Sequence, residues 1–375
     1  MLDGGGMSSW PCVENEAEIA SPALLLDRGR IEGNVRRMIE MAGHPSRLRP
    51  HVKTHKLGPL VRRQVELGIT KFKTATIAEA EMCAREGAAE VLLAYPPVGP
   101  TAARLCALAA EFPSTRFAAI ADSEEAIRNL SEAAQKAGTT LEVFLDLDCG
   151  MGRTGIKPGP AAVALYQLLA RTPGLRAAGL HAYDGHIQDF DPKVRAAACE
   201  KAFAPVLALR EELLREGLPV PVLVAGGAPT FAIHAAHADR ECSPGTTVLW
   251  DISYVDKFPD LKFEIAGVLL ARVVSRPAEN RLCLDLGHKA VSAEYPLKER
   301  LRIWELPEAV PVMHSEEHVV IESPRAGEFA IGQTLHALPR HICPTVALHA
   351  EAVVVEDGRV VERWPILARA RRLTI

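Results

Sequence analysis

With 375 residues the chain is longer than one hydrophobic core usually serves, so two domains are expected. Hydrophobic residues make up 48% and charged residues 24%, the balance of a folded globular enzyme and too apolar for disorder. Lys+Arg total 43 against 47 Asp+Glu, a formal net charge of -4, and no basic block marks a nucleic-acid or membrane surface.

A first strand is expected over Pro22 to Asp27. From about Leu48 to about Trp250, short β-rich runs then alternate with segments of helical periodicity, the pattern of β/α units with parallel strands. The runs are Arg49 to Thr54, Lys71 to Thr76, Val91 to Tyr95, Phe117 to Asp122, Leu141 to Asp148, Ala178 to Tyr183, Val220 to Ala225 and Glu241 to Gly245. Helical stretches between them include Ala78 to Glu86, Ser123 to Ala137 and Ala161 to Arg171. Ser123 suits an N-cap, with Glu124 and Glu125 in the first turn. Eight such strands imply a TIM-like (β/α)8 barrel in the α/β class, and the count leaves open where Pro22 to Asp27 pairs.

Beyond about Trp250 the texture changes to β-type runs separated by turns: Phe263 to Ser275, Arg281 to Asp285, His318 to Ile321, Thr345 to Val355 and Arg359 to Trp364. Asp357-Gly358 between two apolar runs is a tight-hairpin signal. The expected division is an N-terminal segment, 1–25, pairing with the β domain; a barrel, 26–248; and a mainly β C-terminal domain, 249–375. The eight cysteines form no CxxC pair, and residues Met1 to Ala20 lack the regions of a signal peptide. A reducing, cytoplasmic location is therefore expected, and no apolar run is long enough to span a bilayer.

In Arg49-Pro50-His51-Val52-Lys53-Thr54-His55-Lys56 a lysine ends a strand among histidines and further cations. Cationic neighbours or dry surroundings disfavour the charged form of Lys53 and make it an amine nucleophile, for which pyridoxal phosphate is the obvious aldehyde. Barrel enzymes carry their active groups at the C-terminal ends of strands, and several unusual residues are expected there. Arg153 lies in the glycine-spaced loop Gly150-Met151-Gly152-Arg153-Thr154-Gly155, where a guanidinium can hold an anionic oxygen. Tyr183 could line a cofactor ring or simply pack. Gly226, Gly227 and Thr230, followed by Gly245 and Thr246, form two successive turns suited to holding a phosphate on backbone N–H groups. His341 and Cys343, two apart on an extended run, present an imidazole and a thiol to one side, which is either an accidental histidine beside a buried cysteine or a donor pair that suits zinc and leaves positions open for water and substrate.

Four of these motifs, the segment Arg49 to Lys56, the loop ending Cys149 to Gly155, the turn Gly226-Gly227-x-x-Thr230 and His341-x-Cys343-Pro344-Thr345, in order over nearly the whole chain, resemble the D-threonine aldolase and D-serine dehydratase family. The resemblance implies the alanine-racemase-like fold of type III pyridoxal phosphate enzymes, usually homodimeric. It implies that Lys53 carries the cofactor covalently and that Arg153 holds its phenolic oxygen. Tyr183 would contact the ring, and the turns at Gly226, Gly227, Thr230, Gly245 and Thr246 would hold the phosphate. It further implies that His341 and Cys343 bind a divalent ion touching the 3-hydroxyl of a D-3-hydroxy amino acid. Cys343 is the dehydratase choice at its position and favours zinc, with manganese the alternative. Tyr183-Asp184-Gly185-His186-Ile187-Gln188-Asp189 resembles the aldolase pattern, except that Asp189 stands where the aldolases carry a histidine. His51, His186 and Asp189 are thus the candidates for proton transfer beside Lys53. The expected activity is retro-aldol cleavage to glycine and an aldehyde. The alternatives are β-elimination to a 2-oxo acid and ammonia, racemisation, and non-catalytic cofactor binding.

Overall fold

The structure, a computed structural model, describes Trp10 and residues 12–375. Its described residues divide into two compact units, Arg36–Gly245 with Ala370–Ile375, and those before Arg36 with Thr246–Arg369. The first strand, β1 (Ala23–Asp27), belongs to the second of these. The first unit is built on β2 (Lys71–Thr74), β3 (Glu90–Leu93), β4 (Arg116–Ala121), β5 (Leu141–Leu147), β6 (Leu175–Ala182), β7 (Val222–Ala225) and β8 (Glu241–Cys242), all parallel and adjacent in chain order. Helices connect them, and Leu92, Ile120, Phe144 and Val224 bury one another inside. The Ser123 hydroxyl accepts the Ala126 N–H at 3.3 Å, the cap expected of it, and its helix runs Glu124–Lys136.

The expected strand Arg49 to Thr54 is reduced to isolated bridges, Leu48 with Cys242 and His51 with Lys73. Arg49 N–H donates to Cys242 O at 2.8 Å, His51 N–H to Pro244 O at 2.8 Å, and Lys73 N–H to Pro50 O at 2.9 Å. This segment therefore bonds to both edge strands of the sheet and closes it. Pro50 has no N–H to extend the ladder, and Val52–Thr54 turns away as a 3-10 helix. The closure is pinned by Arg49, 1% exposed, which donates to Glu241 on β8 at 2.8 Å and to Glu90 on β3 at 2.7 Å. Removing one partner of such a buried pair costs about 3–5 kcal/mol.

The second unit is a nine-stranded mixed sheet. Its further strands are β9 (Gly267–Ala278), β10 (Arg281–Leu284), β11 (Leu301–Ile303), β12 (Val310–His314), β13 (Val319–Glu322), β14 (Thr334–Pro339), β15 (Glu351–Glu356) and β16 (Arg359–Pro365). β1 lies between β9 and β15, antiparallel to the first and parallel to the second. Leu24, Leu25 and Leu26 are all buried, as a strand covered on both faces requires. Asp357 and Gly358 both have positive φ, 50° and 76°, in the hairpin between β15 and β16. The expected run Thr345 to Val355 is instead a helix, Ile342–Leu348, followed by β15. Pro344 falls in that helix's first turn, where a missing N–H costs nothing. Among the described residues no helix is long and apolar enough to cross a membrane.

Candidate active site

The bend that ends the closing segment of the barrel brings Lys53 to its C-terminal end. His51 caps the 3-10 turn, its Nδ1 accepting the Lys53 backbone N–H at 3.3 Å. Burial first, then Lys53 and Lys73, hold the His51 imidazole well below its usual range, so it is a neutral acceptor here. Lys53, His51 and Arg153 line one cavity of about 440 Å³ with Lys73, His181 and Tyr183. The Lys53 Nζ stands 5.8 Å from the Tyr183 ring centroid, and the Arg153 guanidinium carbon 5.1 Å from it.

The loop carrying Arg153 is gathered by Asp148, whose carboxylate accepts the N–H groups of Gly150 at 3.0 Å and Gly152 at 2.9 Å. The Gly152 N–H, ahead of burial, which opposes it, and then the Gly150 N–H, holds that carboxyl below its usual range. Gly155 has φ 97°, and a β-carbon there would stand 2.5 Å from the Asp148 amide. No other residue fits this turn.

After β7, Gly226 has φ 69° and lies against the His234 ring, while a β-carbon on Gly227 would stand 2.9 Å from the Tyr183 ring. The Thr230 hydroxyl donates to Asp184 Oδ1 at 2.8 Å and lies 3.4 Å from the Gly227 N–H, so its proton is already committed. At Gly245 an added β-carbon would meet His51 O at 3.2 Å. Thr246, which opens the other unit, has its hydroxyl 3.6 Å from Cys343 Sγ.

His186 and Asp189 are both exposed and line a second cavity, of about 550 Å³, with Asp148, Gly150 and Lys157. They are brought together with one another, and the Lys53 cavity is lined without them.

In the β unit His341 is the N-cap of the helix Ile342–Leu348 and Cys343 its second residue. The pair therefore meets at a helix start and not on an extended run. Burial opposes charge on His341, but hydrogen bonding to Cys343, its charge, and Glu294 push the imidazole up to about 9. Glu294 hydrogen-bonds His341 Nδ1. Asp251, 1% exposed, accepts the Ile342 N–H at 3.1 Å and fixes this corner.

Sequence reasoning passed over three residues. Glu294 and Asp251 are distant from His341 in sequence and bear no local signal. Lys73 did leave one: a lysine inside a strand otherwise destined for a barrel wall. It is 3% exposed, 5.6 Å from the Tyr183 ring centroid, and its Nζ lies 3.4 Å from His181 Nε2. Of the further cations in the segment, Lys56 is paired with Glu79 and Arg49 with Glu90 and Glu241.

The described residues also hold one group of three side chains whose donor atoms could share a cation, Asp184, Cys199 and His234, all buried. Here Arg240 donates to His234 Nδ1 at 2.9 Å, which leaves the ring proton on Nε2, 2.8 Å from Asp184 Oδ2. Cys199, its thiol pushed up by burial and then Asp184, lies 3.4 Å from the same ring.

Residues 26–250 match the family described as the alanine racemase N-terminal domain, and residues 266–355 match a serine dehydratase domain. The chain is 32% identical to a D-threonine aldolase of Arthrobacter over 94% of its length and 93% of the relative's. It is 30% identical to a 3-hydroxy-D-aspartate aldolase of Paracoccus denitrificans over 95% of its length and 94% of that protein's. A crystal structure of D-threonine aldolase from Filomicrobium marinum superposes with a TM-score of 0.89 at 30% identity, covering 96% of this chain and 99% of that one.

Proposed function

This chain belongs to the alanine racemase N-terminal domain family, and from that premise we propose that it is an aldolase splitting D-3-hydroxy amino acids into glycine and an aldehyde. Like the aldolases to which it is 30–32% identical, it is a lyase, and the family makes it pyridoxal phosphate-dependent. The observation that carries the reading is the meeting of Lys53 and Arg153 over the Tyr183 ring in one cavity.

The residues present suit the cofactor. The cavity has the size of a small-molecule site. Gly226 and Gly227 stand where any side chain would strike His234 or Tyr183, so the turn after β7 keeps its backbone close against that ring. In this reading Lys53 bonds the cofactor aldehyde, Arg153 holds the ring oxygen, and Tyr183 offers a flat face. The turns at Gly226, Gly227, Thr230, Gly245 and Thr246 hold the phosphate, and His51 steadies the turn that carries Lys53. When bound, the cofactor supplies an electron sink for charge at the α carbon.

His341 and Cys343 are the ligands we assign to a divalent ion, zinc before manganese, with Glu294 orienting the imidazole. Nitrogen and sulfur donors favour zinc. Asp184, Cys199 and His234 are the weaker candidate, since the His234 proton already bridges to Asp184. When bound, the ion supplies Lewis acidity at a substrate oxygen. His186 and Asp189 line a different cavity, and the reading gives them no step. It includes a homodimer, as the resemblance implies, in the reducing, cytoplasmic location that the cysteine pattern suggests.

The second reading, β-elimination to a 2-oxo acid and ammonia, is favoured by Cys343 and by the serine dehydratase match over residues 266–355. Assays with D-threonine and D-serine separate the two. Glycine with acetaldehyde from D-threonine supports the aldolase, and pyruvate from D-serine without any retro-aldol product overturns it.

A further inference from the structure

Lys73 has no role in the function just described, yet it is the most deeply buried lysine side chain of the cavity. It stands on β2 and faces a chain of polar groups inside the barrel. Its Nζ is 3.4 Å from His181 Nε2, and His181 Nδ1 is 2.6 Å from Asp146 Oδ1. Lys73, His181 and Asp146 are 3%, 4% and 3% exposed. An ionised carboxylate at Asp146 can only accept, an arrangement that places the His181 proton on Nδ1 and a lone pair at Nε2. That lone pair faces Lys73. The three groups thus form a directed chain in which an ammonium at Lys73 donates to a neutral imidazole, which donates to a carboxylate.

The titratable groups around Lys73 are His51 and Lys53 from the turn, Tyr95 from the loop after β3, Asp146 and Arg153 from β5 and its loop, and His181, Tyr183 and Asp184 from β6 and the residues after it. Lys53, Lys73 and Arg153 all lie within 6 Å of the Tyr183 ring centroid. Of the two carboxylates, Asp184 already accepts from Thr230 and His234. Burial first, then Lys53, push the Lys73 ammonium down to about 7, while the charges of Asp146 and Asp184 act to keep the proton on it. Two amines in one cavity titrate as a coupled pair.

We propose that Lys73, His181 and Asp146 form a proton-holding relay: near neutral pH the two cavity lysines share one proton, the relay keeps it on Lys73, and Lys53 is the unprotonated amine that attacks a carbonyl. In that attack the Lys53 nitrogen forms the carbon–nitrogen double bond, and its two hydrogens leave with the carbonyl oxygen as water. Lys73 is therefore a positioning residue, acting through the ionisation of Lys53. The inference rests on the reading of Lys53 as the amine that takes pyridoxal phosphate.

The test follows the rate at which Lys53 is modified in the full-length protein stripped of cofactor. Pyridoxal phosphate is added over a series of pH values, trapped with borohydride, and the labelled lysine is identified by mass spectrometry. The expected midpoint for Lys53 lies well below that of an ordinary lysine. Lys73→Met raises it and slows labelling at pH 7 by about tenfold, equal to about one pH unit. Lys73→Arg, which keeps the charge, preserves the low midpoint. His181→Asn, which cuts the link to Asp146 but leaves both lysines, raises the midpoint and carries the test should Lys73→Met not fold. Unchanged midpoints in Lys73→Met or His181→Asn overturn the relay. Label on a lysine other than Lys53 overturns the reading beneath it, an outcome told apart by the site of modification.

Discussion

Asp251 and Ile342 are joined by a buried hydrogen bond: the Asp251 Oδ2 accepts the Ile342 N–H at 3.1 Å, while Oδ1 accepts the Tyr254 N–H at 3.1 Å. One carboxylate thus caps the helix Ile252–Lys257 and holds the start of the helix Ile342–Leu348, between His341 and Cys343. Asp251→Ala leaves both N–H groups without their acceptor, at about 1–3 kcal/mol each. A clear fall in melting temperature is expected, together with zinc binding weakened by about tenfold or more, the usual cost of losing an outer partner of a ligand. Asp251→Asn keeps one acceptor and should fall between. Wild-type zinc affinity in Asp251→Ala, by competition with a chelating dye, would show that this corner does not organise the pair.

The two candidate donor sets are separated by metal content. After dialysis against zinc, the wild-type protein and Cys199→Ala are expected to retain about one ion per chain, and Cys343→Ala and His341→Ala almost none. Chelation should abolish lyase activity in the first two, with recovery on adding zinc. Loss of the ion from Cys199→Ala with retention in Cys343→Ala would move the site to Asp184, Cys199 and His234.

The parallel strands were legible because each is an apolar run between turn residues, and the Asp357-Gly358 hairpin because positive φ narrows the residue choice. Strand boundaries failed where one residue's hydrogen bonding decides. Pro50 cannot donate, so the segment that closes the barrel is single bridges, and Lys53 sits in a turn. Thr345 to Val355 has β-type composition, yet its start is helical because Asp251, 91 positions earlier in the chain, accepts the Ile342 N–H. Likewise β11, β12 and β14 were not foreseen. In the site, lysine, arginine and glycine at loop positions could be read from local pattern. Glu294 and the pairing of Lys73 with His181 could not, since their meaning arises only where distant strands and loops meet.

Gly226 offers a test of the phosphate turn. Its φ is 69°, and a β-carbon would stand 2.3 Å from His234 Cδ2 and 2.9 Å from Thr230 Oγ1. Gly226→Ala therefore meets both backbone strain, about 1–3 kcal/mol, and a collision with a ring fixed by Asp184 and Arg240. The expected result is weaker cofactor retention, read as loss of visible absorbance on gel filtration. Gly217, also at positive φ but with open space around its β-carbon position, is the control: Gly217→Ala carries only the backbone term and should keep its cofactor.

His336 sets a pH dependence in the β unit. Burial favours its neutral form, but bonds to Glu16 and Glu305 overcome this and push the imidazole up to about 9. Its Nδ1 lies 2.6 Å from Glu305 Oε1, and Nε2 lies 3.0 Å from Glu16 Oε2, an ion pair with poor hydrogen-bond alignment. A histidine whose folded pKa is raised stabilises the fold fully below its unfolded value, about 6.5, and loses that contribution as pH rises through about 9. The contribution is at most about 3 kcal/mol. Glu305→Gln should therefore melt well below the wild type at pH 6, with the gap narrowing steadily between pH 7 and 10. A gap that stays constant over that range would mean that His336 is not the charged partner of Glu305.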